Sequence, residues 1–424
     1  MAVVVSTEAL LAEAALHSGA GTVRAAVAAD TIDGVRPRLV ATPTSQEGLA
    51  ATLAWATAER LQVLVRGGGT KLTWGASVER VDVALSTTAL ASVVEHRHGD
   101  LTATVEAGAT LAQVNAVLAA HRQWLPLDGP WPERATVGGI IATNDSGPQR
   151  HRHGAPRDLI IGVTLARSDG QLAKAGGIVV KNVAGYDLSR LLTGSFGCLG
   201  VIVSATFKLA PVAPASRTVV VDVESLDALF PLIDQLQGSG LTPSALELEF
   251  PPARLLVRFE SVEDAVVQQA DEAVRLASAW GCARAAAGDA ERDLWTRHAR
   301  LWEGSATLVK LSTLPTELLP TLTRLGSLAV ASELRVAATG RAGLGVVDVK
   351  LEGAAEGQAR CITALRAGLP IGRGSAVIRR GEPDLRQRID PWGPIGDGFR
   401  VMQAVKQRFD PNRTINPGRG PGGL

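Results

Sequence analysis

Val65-Arg66-Gly67-Gly68-Gly69-Thr70-Lys71 closes a short strand reading over 62–66 with three consecutive glycines. Glycines directly after a strand let the backbone approach a ligand and turn its N–H groups inward, a nest that suits a diphosphate. Thr70 adds a hydroxyl donor and Lys71 a charge. The spacing is neither GxxxxGK[ST] nor GxGxxG, so a Walker loop and a Rossmann turn are both unsupported. Alone, the stretch is equally compatible with an ordinary glycine-rich turn.

Two further glycine clusters follow before residue 205. In 130–147, Gly138 and Gly139 open an apolar turn, and Thr136, Thr143 and Ser146 offer small hydroxyls beside Pro130. In 181–202, Gly197 and Gly200 let the chain pass beneath a flat group just before the β-branched Val201 and Ile202. Lys181 and Asp187 form a candidate buried pair there. Between these clusters, 149–157 holds Arg150, Arg152 and Arg157 with His151 and His153. Such a run neutralises a diphosphate, grips a carboxylate bidentately, or docks an acidic partner.

The chain has 424 residues, enough for two to three domains at about 150 residues each. Lys plus Arg number 43 and Asp plus Glu 42, a balance that argues against a nucleic-acid sleeve or polybasic membrane anchor. With 46% apolar residues the composition is globular. Cys198, Cys282 and Cys361 are too far apart for an iron–sulfur or zinc cluster, and their odd number suits a reducing compartment. No metal site is expected. The N-terminal segment has no basic residue before Arg24, so no secretory signal is read. No apolar run approaches the roughly 20 residues that span a bilayer.

The linker-like LAPVAPAS (209–216) sets a boundary. Residues 1–212 form the first domain, with helices over 44–60 and 110–120 and strands over 81–85, 101–106 and 159–166. Residues 213–395 form an α+β domain with an approximate duplication. Its first copy places strands over 218–223, 245–250 and 255–260 and helices over 226–237 and 262–280. Its second places strands over 306–311, 331–337, 345–351 and 375–379 and helices over 316–326 and 358–367. The order β-α-β-β-α-β is ferredoxin-like. Residues 396–424 form a helix and a pinned tail.

RGGGTKLTWG (66–75), ATVGGIIATNDSG (135–147), KNVAGYDLSRLLTGSFGCLGVIVSATFKL (181–209) and the tail FDPNRTINPGR (409–419) together resemble the vanillyl-alcohol oxidase / PCMH-type FAD superfamily. The third segment and the tail are similar to the FAD-binding E subunit of bacterial glycolate oxidase, and the resemblance extends from about Pro43 to Arg419. It implies an α+β fold: a two-subdomain PCMH-type FAD-binding domain, then a ferredoxin-like α+β cap domain. It places the FAD pyrophosphate on Arg66, Gly67, Gly68, Gly69, Thr70 and Lys71. Pro130, Thr136, Gly138, Gly139, Thr143 and Ser146 line the flavin and ribityl chain, and Gly197, Gly200 and Ile202 contact adenine or ring.

The resemblance also implies oxidation of a 2-hydroxy acid such as glycolate within a complex. The expected partners are a second flavoprotein subunit and an iron–sulfur subunit, with no nucleic acid and only indirect membrane contact from the cytoplasmic side. Covalent members attach flavin through a histidine near the first loop; 62–75 has none, so FAD is expected to be non-covalent. His96 and His98 read as a surface turn. Related dehydrogenases carry a His-rich cap loop; 339–345 has neither histidine nor acid, and His298 stands alone in sequence. No general base is evident, so the catalytic residues are open. The alternatives are a self-sufficient hydroxy-acid dehydrogenase and a non-catalytic assembly subunit.

Overall fold

The computed structural model describes residues 6–178, 186–370 and 372–424. Two compact units emerge: Met1–Ser146 with Ala155–Val212 and Ile395–Leu424, and Gly147–Gly154 with Ala213–Pro394. The tail thus belongs to the first unit, and the short segment 147–154, read from sequence as part of the first domain, groups with the second.

In the first unit, strands β1 (Val23–Ala25), β2 (Leu39–Ala41), β3 (Val63–Arg66) and β4 (Val83–Ser86) form a sheet of order β1-β2-β4-β3. The next strands are β5 (Val93–Arg97), β6 (Thr102–Glu106), β7 (Gln123–Trp124), β8 (Ile160–Ala166), β9 (Leu172–Gly176), β10 (Val201–Lys208) and β11 (Ala210–Pro211). Five of them make an antiparallel sheet, β5-β6-β10-β8-β9, and β11 pairs with β7. The helix Gln46–Ala58 starts at Ser45, whose side chain accepts from the Gly48 amide, and buries Leu49, Leu53 and Ala56 on one stripe. The tail adds to the smaller sheet: Ile415 bridges Val63 in parallel.

The second unit is built on one antiparallel sheet. Its strands are β12 (Ala215–Val223), β13 (Ala245–Phe250), β14 (Arg254–Ser261), β15 (Gly281–Ala286), β16 (Thr307–Ser312), β17 (Arg335–Arg341), β18 (Val346–Glu352) and β19 (Ser375–Arg380). They lie in the order β15-β12-β14-β13-β17-β18-β16-β19. Each half repeats one pattern, in which the first and third strands of the half are central and the second strands meet at β13–β17. The edge strand β15 and the helix Gly288–His298 have no counterpart in the sequence reading. Alanine-rich 283–287 carries little β-branched signal, so its pairing with β12 decides its conformation.

Alternation sends the two sheet faces to different environments. Val219, Leu248, Val257, Phe259, Val309, Val347 and Val349 point into one apolar core. Over that core lie Leu229–Gly238, Glu263–Ala277, Leu318–Ala331 and Ala355–Ala367; Glu263–Ala277 buries Val266, Ala270, Ala273 and Ala277 at helical spacing. The opposite face is polar. Registered cross-strand partners share a face, so one row runs Asp222, Arg254, Glu249, Thr339, Asp348, Lys310. No helix among the described residues is long and apolar enough to cross a membrane.

Candidate active site

Three distant segments of the first unit meet in a groove of about 770 Å³, open mouth included. Strand β3 delivers 66–71, the helix Val137–Thr143 delivers the second cluster, and the turn before β10 delivers Gly197 and Gly200. Backbone bonds lock the second and third together: the Gly194 amide donates to Ile141 O and the Phe196 amide to Ala142 O, at 3.0 and 2.8 Å. Glycine is required for chain-on-chain packing. A Cβ on Gly67 would stand 2.0 Å from Thr136 Oγ1, and one on Gly68 would stand 1.7 Å from Arg134 O. The missing side chain of Gly68 makes room for the protein's own backbone.

The loop's cations are already engaged. Arg66 pairs with Asp30 at 3.1 Å and Lys71 with Asp145 at 3.4 Å. The Arg24 side chain, also bonded to Asp30, is the main cause holding that carboxyl well below the usual range. The amides of Gly67, Gly68, Gly69 and Thr70 donate to nothing among the described residues. Four adjacent unspent N–H groups beside a groove form an anion cradle, and they fit a pyrophosphate better than the two neutralised side chains do. Ser195 Oγ and Asn144 Oδ1 are likewise buried without a hydrogen-bond partner among the described residues. The lining includes no His, Cys or Tyr.

Thirteen of the sequence-chosen cofactor residues line this groove: Arg66, Gly67, Gly68, Gly69, Thr70, Lys71, Thr136, Gly138, Gly139, Thr143, Gly197, Gly200 and Ile202. Pro130 and Ser146 do not; Ser146 is buried beside Asp145, and Pro130 follows Gly129, whose backbone packs on the Asp145 carboxylate. Thr143 donates its hydroxyl to Gly139 O at 2.8 Å, so only its lone pairs face outward. Asn416 and Arg419 are lining residues that sequence reading left without a site role. Asn416 accepts from the Val65 amide and donates to Phe196 O, both at 2.8 Å. Arg419 donates to Leu72 O and Trp74 O. Their signal was the NPGR tail. His96, His98 and His121 cluster elsewhere, with the His98 and His121 rings stacked at 4.1 Å. Lys181 lies outside the described residues, and Asp187 is an exposed cap accepting from the Arg190 amide.

The arginine trio is divided. Arg157 sits exposed on Pro156–Leu159, 3.9 Å from Asp158. Arg152 is exposed on the other unit, and Arg150 is half-buried there. Arg150 contributes to a cation cluster on the polar face of the second unit. Asp348 accepts from Arg341 at 3.0 Å and from Arg379 at 2.8 Å, and Arg379 also lies over the Trp302 ring. Lys310, registered opposite Asp348, has no hydrogen bond or ion pair within reach among the described residues. Burial first, then the charges of Arg379, Arg150 and Arg341, pushes its amine down to about 7.

His298 is not alone in space. Nδ1 meets Glu249 at 2.9 Å and Nε2 meets Glu247 at 3.2 Å, with Thr339 Oγ1 at 3.0 Å. Burial lowers its basicity, but the two carboxylates outweigh burial and raise it to about 9. The imidazolium is thus a fixed charge at neutral pH. His298, alone in sequence, thus sits between two carboxylates of β13, and 339–345 adds Thr339 and Arg341 to the surrounding polar face although it holds neither histidine nor acid.

Residues 37–176 match the family model described as an FAD binding domain. The chain is 25% identical over 424 residues to glycolate oxidase subunit GlcD of Bacillus subtilis (strain 168), covering 90% of this chain and 88% of that one. It is 37% identical over 147 residues to glycolate oxidase subunit GlcE of Escherichia coli (strain K12), covering 34% of this chain and 42% of that one. Among solved structures, p-cresol methylhydroxylase with substrate bound superposes at a TM-score of 0.72 and 15% identity, over 96% of this chain and 95% of that one. The fold is the PCMH-type FAD-binding fold, with an α+β second unit. The chain is an FAD-binding oxidoreductase, a flavoprotein.

Proposed function

We propose that the chain is the FAD-binding subunit of a bacterial glycolate-oxidase-type assembly, which oxidises a small 2-hydroxy acid to the 2-oxo acid, glycolate to glyoxylate. FAD supplies the two-electron acceptor. It is held non-covalently, a reading supported by a groove lining without His, Cys or Tyr. The residues' part is to bind and orient. The amides of 67–70 hold the pyrophosphate, and Asn416 fixes the glycine loop against the turn at Phe196.

The observation that carries the substrate class is Lys310, an ammonium or amine without an ion pair among three guanidiniums and one spent carboxylate. A carboxylate anion is the partner that fits this Lys310 amine. Electrons leave to an iron–sulfur partner, because Cys198, Cys282 and Cys361 are free and dispersed, two buried and one exposed. A second flavoprotein subunit completes the assembly, and any membrane contact runs through those partners. Arg150 serves the anion; exposed Arg152 and Arg157 serve partner contacts.

Which flavoprotein takes the hydroxy acid separates two readings. Oxidation by the partner followed from the absence of a histidine or acid in 339–345. Oxidation by this chain is favoured by Lys310 and by the charged row on β13, β17, β18 and β16. Anaerobic addition of glycolate to the purified chain decides: bleaching of its flavin band supports oxidation here, and persistence assigns it to the partner.

A further inference from the structure

We infer that Lys310 captures the carbonyl of a 2-oxo carboxylate, its amine condensing with the ketone or aldehyde carbon to a reversible imine. This inference rests on the reading that the polar face of the second unit binds a small carboxylate, and it holds whichever subunit oxidises the hydroxy acid. The face is built from the second unit alone: Lys310 on β16, Asp348 on β18, Arg341 on β17, Arg379 on β19 and Arg150 on the helix Arg150–His153. Of the two lysines in 213–394, Lys350 is paired with Glu352 at 2.9 Å. Lys310 is half-buried and has no ion pair or hydrogen bond from its side chain among the described residues, although Asp348 is its registered neighbour. The arginines account for this. One Asp348 oxygen accepts from Arg341 and the other from Arg379, and Arg341 also faces Glu247 at 3.9 Å.

Such an amine keeps a lone pair at neutral pH. Burial first, then the charges of Arg379, Arg150 and Arg341 against that of Asp348, hold it down to about 7. A desolvated lysine beside another cation is the arrangement that activates an amine towards a carbonyl carbon. A 2-oxo acid suits both halves of this chemistry. Its carboxylate supplies an anion to the guanidinium-rich face, and its C2 carbonyl, one bond away, supplies the electrophile. The Nζ lone pair forms the N–C bond as the carbonyl π pair moves to oxygen. The C–O bond of that adduct then breaks, the oxygen leaves as water with the two amine protons, and a C=N bond remains. No oxidant or reductant is consumed, and water reverses the step. A 2-hydroxy acid lacks the carbonyl and binds without a covalent bond. Accumulating 2-oxo acid therefore occupies, as an imine, the site that its precursor needs.

The test incubates flavin-loaded full-length protein with glyoxylate and sodium cyanoborohydride, which reduces an imine to a stable secondary amine, and maps the product by peptide mass spectrometry. The expected product is an N-carboxymethyl group on Lys310, formed about tenfold or more faster than on Lys350 at neutral pH. Its rate rises with pH and levels off above the Lys310 value, while labelling of Lys350 keeps climbing. Excess oxalate slows the reaction at Lys310 and leaves Lys350 unaffected. Lys310→Arg, which keeps the charge and removes the nucleophile, loses the fast label. The mapping is read on wild type, so it does not depend on the variant folding. Oxalate that binds wild type while Lys310 and Lys350 label equally overturns the capture alone. Wild type that binds no oxalate overturns the underlying anion-site reading as well.

Discussion

Lys310 and Asp348 face each other across β16 and β18, yet the two Asp348 oxygens are bonded to Arg341 and Arg379. The lysine is thus left with a formal counter-ion that is already spent. An anion beside the amine raises its proton affinity back toward the ordinary lysine value. Oxalate binding is expected to take up a proton between pH 7 and 9 and to weaken as pH rises through that window. Lys310→Met should bind at least tenfold more weakly, about 1.4 kcal/mol. Calorimetry in two buffers of different ionisation heat measures both; equal heats in wild type would remove Lys310 from the anion site.

His298 makes stability pH-dependent in a predictable direction. Its folded pKa of about 9 exceeds the unfolded value near 6.5. The imidazolium contribution, on the order of 3 kcal/mol, is fully present below pH 6.5 and is lost as pH rises through 9. Thermal melts from pH 6 to 10 should show this decline in wild type. His298→Gln should melt lower at pH 6 and follow a flatter curve, since Glu247 and Glu249 lose their shared cation. A wild-type midpoint independent of pH over this range would contradict the ion-pair geometry.

Gly68→Ala is predicted to fail through the protein rather than through the cofactor. Its Cβ would fall 1.7 Å from Arg134 O, a backbone atom that cannot rotate away. The expected loss is about 3 kcal/mol or more, visible in melts of flavin-free protein. A variant that keeps apo stability and loses only flavin would contradict this packing role.

Asn416→Ala removes the two bonds that tie the tail to Val65 and Phe196. Losing these two part-buried bonds should cost about 1–3 kcal/mol. The flavin-to-protein ratio should drop while calorimetry shows the second unit melting as before. An unchanged ratio would mean that the tail does not shape the groove.

The groove was legible because glycine leaves a mark. Gly67, Gly68 and Gly138 are demanded by approaches that a Cβ would block, and such demands show in sequence as clusters. The tail's site role was not legible: Asn416 acts through two backbone atoms, one of them 351 residues away. The ferredoxin-like order was readable from hydrophobic runs, whereas β15 was not, because 283–287 offers alanines instead of β-branched residues. The polar face escaped for a third reason. Glu249, Thr339, Asp348 and Lys310 become neighbours only through cross-strand register, which no local pattern encodes. His298 looked isolated for the same cause.

The central proposal is that this chain binds FAD and itself oxidises a small 2-hydroxy acid. An anaerobic visible spectrum of the purified, FAD-loaded chain before and after glycolate tests it most directly. The account predicts a flavin band that bleaches with glycolate in wild type and bleaches far more slowly in Lys310→Met at equal flavin content. A band that persists in wild type against glycolate and other small 2-hydroxy acids would contradict it and assign substrate oxidation to a partner subunit.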